Sequence, residues 1–84
     1  MCRNITTLRG LEPGATETEI EAAARQYVRK VSGVQSTSKN TGEAFERAVT
    51  LVARATSDLL NELPPRSTPP ATLPPLRRVR SDQR

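Results

Sequence analysis

Apolar residues recur at helical spacing in two stretches of this chain. In the first stretch they lie three or four positions apart, which places them on one face of a helix: Ile20, Ala23, Ala24, Tyr27, Val28 and Val31. Thr16 and Glu19 precede this face in the order of a capping box, and Gly33 follows it as a residue suited to a left-handed helix end. The pattern predicts a helix over residues 17–32 with this face turned toward a core.

The second stretch is longer and has no proline or glycine between positions 43 and 63. Its apolar face keeps the same spacing: Phe45, Ala48, Val49, Val52, Ala55, Thr56, Leu59, Leu60 and Leu63. Asn40 and Glu43 resemble a second capping box, and Pro64 with Pro65 ends the helical pattern. We predict a helix over residues 41–63, joined to the first by a small, polar loop at 33–40.

The predicted helices differ in length, and this difference decides how they pack. At 1.5 Å per residue they span roughly 24 Å and 35 Å, so an antiparallel hairpin leaves about 10 Å of the second helix uncovered. The uncovered end carries three leucines whose exposure is unfavourable: Leu59, Leu60 and Leu63. The chain that enters the first helix lies beside them and has its own apolar residues: Ile5, Leu8 and Leu11.

These lengths predict an all-α fold, an antiparallel two-helix hairpin with a short N-terminal segment or helix packed on it. The rival cover for the leucine end is a second copy of the chain, in a four-helix dimer. Because aromatic residues make up only 2% of the chain, the core must be built almost entirely from aliphatic side chains. A core of this size gives modest stability unless a partner adds to it.

The net charge of +4 belongs to the C-terminal end of the chain. Residues 1–63 carry equal numbers of basic and acidic side chains, whereas residues 64–84 have five arginines against Asp82 alone. The same tail holds six of the seven prolines and no helical periodicity. We therefore predict a helical domain at 1–63 and a disordered tail rich in proline and arginine at 64–84.

Cysteine usage and hydropathy point to a cytoplasmic protein. Cys2 is the single cysteine, so neither an intramolecular disulfide nor a cysteine-based metal cluster can form. No apolar run approaches the ~18 residues that span a bilayer, and no signal-peptide core is visible. We expect no cofactor, no membrane partner and, since a chain this short has little room for a pocket, no small-molecule substrate.

Four runs of residues are more specific than helix packing requires. They are Met-Cys-Arg-Asn-Ile at 1–5, Leu-Arg-Gly-Leu-Glu-Pro at 8–13, Gln-Tyr-Val-Arg-Lys-Val-Ser-Gly at 26–33 and Glu-Ala-Phe-Glu-Arg-Ala-Val at 43–49. In these runs the chain resembles the prokaryotic domain of unknown function 2277 family. The resemblance implies a bacterial cytoplasmic protein with a domain boundary near residue 63, and it carries no catalytic or ligand residues. The tail departs from it, because such proteins more often end in a helical stretch rich in arginine and alanine.

Cys2, Arg3 and Asn4 form the first candidate site. Removal of the initiator methionine would leave Cys2 with an amine and a thiol on adjacent carbons, a pair that chelates metals or attacks electrophiles, and Arg3 would favour the thiolate. The chain has no histidine to act as a base or further ligand. The alternative is that Cys2 is a small residue that packs at the chain end.

Two groups of cations are candidates for binding phosphates or acidic partners. Arg25, Arg29 and Lys30 share the outer side of the first helix, although Glu21 lies four residues before Arg25 and favours a local ion pair. The tail adds Arg77, Arg78 and Arg80, without aromatic residues for base stacking and without the register of a polyproline ligand. A solvated helix face and a solubilising tail are the alternatives.

The leading functional hypothesis is a non-enzymatic helical interaction module. Its binding surface would be the leucine end of the second helix, and its partner another protein or a second copy. The alternative is a protein that binds nucleic acid or the ribosome through the two groups of cations. A second alternative is a redox or metal role that depends on Cys2.

Overall fold

A computed structural model describes residues 4–66 and 68–78 and has the predicted all-α hairpin. Helix α1 spans Glu17–Ser32 and helix α2 spans Gly42–Glu62, and the two pack against each other. A short 3-10 helix at Pro75–Arg77 completes the regular structure of the described residues, which contain no strand. Each predicted helix bound is confirmed to within one residue.

Local interactions define both ends of α1. The Thr16 hydroxyl accepts a hydrogen bond from the Glu19 amide at 3.1 Å, and the Glu19 carboxylate accepts one from the Thr16 amide at 2.9 Å. Gly33 ends the helix with φ of 72°, and its amide donates to the Arg29 carbonyl. The predicted capping box and glycine stop are therefore confirmed.

The start of α2 differs from the prediction of a second capping box at Asn40 and Glu43. The residue before the helix is Thr41, and its side chain does not cap the helix. Instead, the Thr41 hydroxyl accepts from the Ser38 amide, and the Gly42 amide donates to the Ser38 carbonyl at 2.7 Å. The Thr41 hydroxyl and the Gly42 amide are thus hydrogen-bonded within a turn that begins at Ser38. The helix starts one residue later than predicted.

The first core cluster holds the two helices together near the loop. Four buried side chains form it: Ala24, Val28, Phe45 and Val49. Tyr27 and Val31, which the spacing placed inward, are 48% and 66% exposed. That prediction was wrong because two helices cover only a narrow strip of each other, and no third element among the described residues covers the edge of that strip on this side.

The second core cluster lies at the other end, where the N-terminal segment packs on the hairpin as predicted but covers only Leu60 of the three leucines at the end of α2. Leu8 and Leu11 are buried against Ile20, and Leu60 of α2 packs on them. The segment is irregular and has no helix among residues 4–16, and Ile5 stays 38% exposed. It includes one cis peptide bond, between Glu12 and Pro13.

The described part of the tail lies against the helical domain. Both Arg9 Nε and Nη2 donate to the Pro64 carbonyl, at 3.1 and 2.7 Å. Gly10 has φ of 91°, a backbone conformation that favours glycine, and a Cβ there would lie 3.1 Å from the Arg66 side chain, which would have to shift. Further on, Pro74 is buried. We name residues 73–78 the strap, because this segment crosses back to the start of α1.

Candidate interaction surface

The candidate cluster at the N-terminus is described only from Asn4 onward. Cys2 and Arg3 lie outside the described residues, so a role for Cys2 stays a prediction. Asn4 is exposed and borders a cavity of about 10 Å³ beneath the strap, opposite Pro74. A cavity of that volume has no room for a small-molecule ligand.

Arg25, the first residue of the predicted basic face, is bound by carboxylates. Its guanidinium donates to both carboxylate oxygens of Glu46 at 2.7 and 2.9 Å, and to Glu21 at 3.3 Å. The hydrogen bonds that Arg25 donates to Glu46 raise the pKa of Arg25 and lower the pKa of Glu46. The guanidinium also lies 5.8 Å from the centre of the Phe45 ring. The predicted pair of Glu21 and Arg25 is confirmed, and Glu46 is an additional partner from α2.

Arg29 and Lys30 form the rest of the predicted basic face. Arg29 is half-buried and Lys30 is exposed in the last turn of α1, where cations suit the negative end of the helix dipole. Neither residue joins an ion pair within the described part of the chain. Of the three cations predicted on this face, Arg25 is bound by carboxylates, so two are left to bind a phosphate or an acidic partner.

Arg77 of the strap binds Glu19, the residue that caps α1. Arg77 Nη2 donates to one carboxylate oxygen of Glu19 at 2.9 Å and to the Gly14 carbonyl at 3.0 Å, while Nε donates to the second oxygen of Glu19. The side chains are only 18% and 5% exposed. The bond from Arg77 lowers the pKa of Glu19 against the opposing effect of burial, and Glu19 raises the pKa of Arg77.

The other tail arginines are placed less fully. Arg78 Nε donates to the Leu73 carbonyl at 3.0 Å, within the strap. Arg80 lies outside the described residues, so its proposed contact with nucleic acid stays a prediction. No sequence signal pointed to the pairing of Arg77 with Glu19, because the two residues are 58 positions apart.

An apolar stripe runs along one flank of α2, where Ala48 also packs against the first core cluster. It consists of residues at intervals of three or four, all alanine or leucine and none buried: Ala44, Ala48, Leu51, Ala55 and Leu59. Leu51 and Leu59 are 61% and 54% exposed. Of the three predicted surface leucines, Leu60 packs in the second cluster, whereas Leu59 and Leu63 remain exposed. Sequence reasoning missed Leu51, although the spacing of the stripe was visible.

The opposite flank of the hairpin is a charged groove. An open depression of about 420 Å³ lies between the helices, and a second of about 460 Å³ adjoins it, since both are lined by Glu17, Ile20 and Ser57. Carboxylates outnumber cations along the first depression, which is lined by Glu17, Glu21, Arg25, Glu46, Arg54 and Asp58. The excess of carboxylates makes the first depression unsuited to a phosphate backbone.

Within residues 4–66 and 68–78, no helix combines the length and the apolar character that a membrane span requires. The same residues contain no group of three or more cysteine, aspartate or glutamate side chains placed to hold a metal ion.

The fold and its surface define a small all-α domain, a capped helical hairpin whose second core cluster is completed by the N-terminal segment and whose first helix is crossed at its start by the strap. The chain belongs to the family described as "Uncharacterized conserved protein (DUF2277)", whose model matches residues 1–84. The match includes the proline-rich tail, which departs from the composition that the resemblance implied. No curated protein and no solved structure matches the chain.

Proposed function

We propose that this protein is a non-enzymatic helical interaction module of the bacterial cytoplasm, which binds a protein partner through the apolar stripe of α2. The observation that carries the proposal is the exposure of Leu51 and Leu59 on a helix face whose other members are alanines. Single apolar residues are ordinary on protein surfaces, whereas a continuous stripe at helical spacing is typical of a contact surface.

The charges favour this function over binding to nucleic acid. Arg25 and Arg77, two of the cations on which that alternative rests, are bound to carboxylates. A phosphate backbone would have to displace those carboxylates and approach a groove that carries further acidic groups. Electrostatic attraction to phosphates, which supplies most of the nonspecific affinity for nucleic acid, is therefore reduced at Arg25, at Arg77 and along the charged groove.

The proposal is tested with Leu51→Asp in the full chain, tagged and purified from the native host. Thr50→Asp is the matched control, because it adds the same charge one residue away on the other flank of α2, and both positions are exposed. Circular dichroism checks that both variants are folded. We expect mass spectrometry to find a set of bound proteins, including untagged copies, with the unchanged chain and Thr50→Asp but not with Leu51→Asp. Recovery of the same proteins from all three, or of none from any, would contradict the proposal.

A further inference from the structure

We propose that the apolar stripe of α2 binds the same stripe of a second copy, in an antiparallel pair whose two-fold axis passes beside Ala55. The inference rests on the proposed function and deepens it by naming the partner. A two-fold interface joins identical surfaces, so the stripe must complement itself when it is reversed.

The order of residues about Ala55 meets this requirement. Leu51 and Leu59 lie four residues before and after it, so each is about 6 Å from the axis along the helix. In an antiparallel pair, Leu51 of one copy therefore lies level with Leu59 of the other. Ala55 at the axis has a short side chain, which allows the two helices to approach closely.

The charges that border the stripe select the antiparallel direction. Arg47 and Glu62 are exposed, and neither joins an ion pair within the described part of the chain. They lie about 12 Å and 10.5 Å from Ala55 on opposite sides of it. Reversal brings Arg47 of each copy level with Glu62 of the other, whereas a parallel pair in register would place like charges side by side.

The stripe is also open to a second copy. The N-terminal segment packs on Leu60 and the strap reaches Glu19, yet Leu51 and Leu59 remain more than half exposed. Two hairpins joined through α2 form a four-helix arrangement in which these leucines are buried. The sequence suggested a second copy as the alternative cover for the leucine end of α2. In the proposed pair, the second copy covers the apolar stripe instead.

The first test measures the dimer dissociation constant of the full chain by sedimentation equilibrium. Leu51→Asp should raise the Kd about 100-fold or more, because two leucines are lost from each dimer. Arg47→Glu and Glu62→Arg should each raise it about fivefold or more, and the double variant should return it to within about threefold of the original. Lys39→Glu, in the exposed loop, is the control for the change of charge and should leave the Kd unchanged.

The second test locates the axis by cross-linking. In a Cys2→Ser background, Ala55→Cys should form a disulfide-linked dimer when copper–phenanthroline and dissolved oxygen are added, and Thr50→Cys should not. A Kd that is unchanged in Leu51→Asp, or unchanged in both Arg47→Glu and Glu62→Arg, would overturn the arrangement.

A chain that stays monomeric up to about 1 mM would overturn self-association itself. In that event, loss of another bound protein in Leu51→Asp would leave the proposed function standing. If the same substitution also removed no other protein, both proposals would fall.

Discussion

Glu19 links the start of α1 to the strap. Its carboxylate accepts from the Thr16 amide at the start of α1 and from Arg77 of the strap, and Arg77 in turn donates to the carbonyl of Gly14 before the helix. Only 6% of Glu19 is exposed. A buried carboxylate is stable as an anion only when hydrogen bonds replace its water, and here the cap and the strap provide them.

The lowered pKa of Glu19 makes the stability of the fold depend on pH. Because the folded pKa lies below the ordinary value of about 4.5, the contribution of Glu19 is fully present above that value and is lost as the pH falls through the lower, folded pKa. We expect the free energy of unfolding, measured by urea titration, to decline below about pH 4.5. The decline should be weaker in Glu19→Gln.

Glu46→Gln is the control for this pH dependence. Glu46 also has a lowered pKa, but its side chain is 57% exposed, so added salt should screen its pairing with Arg25. Identical pH curves for Glu19→Gln and the unchanged chain would show that the Glu19 pair does not stabilise the fold.

Residue-scale prediction from the sequence succeeded where partners are close along the chain. Thr16 and Glu19 are three positions apart, so their capping box follows from local backbone geometry. Arg77 has no comparable signal, because its pairing depends on the path of a proline-rich segment without periodicity. Tyr27 was placed inward because periodicity gives the direction of a side chain but not the width of the surface that covers it.

At the scale of elements, the irregular N-terminal segment covers one end of the hairpin, as a third helix would, and completes the second core cluster. The unequal helix lengths and the positions of Leu8 and Leu11 were sufficient to predict this cover from the sequence. The apolar stripe could also be read from its spacing, but the apolar residues of α2 cover a wider arc than α1 can bury. Only the structure separates those that face α1 from those that face outward.

We expect Leu11→Ala to lower the free energy of unfolding by about 2–4 kcal/mol, because it removes a buried side chain from the second core cluster. Ile5→Ala is the matched control in the same segment. Since Ile5 is 38% exposed, its change should cost less than about 1 kcal/mol. Chemical denaturation monitored by circular dichroism measures both, and equal losses would mean that the segment does not seal the core.

For the molecule as a whole, the contacts divide into near and distant ones. Nine residues connect α1 to α2, so the two helices of the hairpin are neighbours along the chain. The contact of Arg9 with Pro64 joins residues 55 positions apart, and that of Glu19 with Arg77 joins residues 58 apart. The hairpin is thus held by contacts between elements that are neighbours in sequence, whereas the strap contacts a residue 58 positions earlier in the chain.

The strap has a consequence for the order in which the chain folds. Closing a loop of 58 residues costs about 1.6 kcal/mol more in chain entropy than closing one of nine, so we expect the hairpin to form first and the strap to dock after the rate-limiting step. Stopped-flow measurements at low protein concentration should therefore show that Arg77→Ala speeds unfolding and leaves the folding rate unchanged. A slower folding rate in this variant would mean that the strap belongs to the nucleus. Otherwise, the strap sets how long the folded state lasts and not how quickly it is reached.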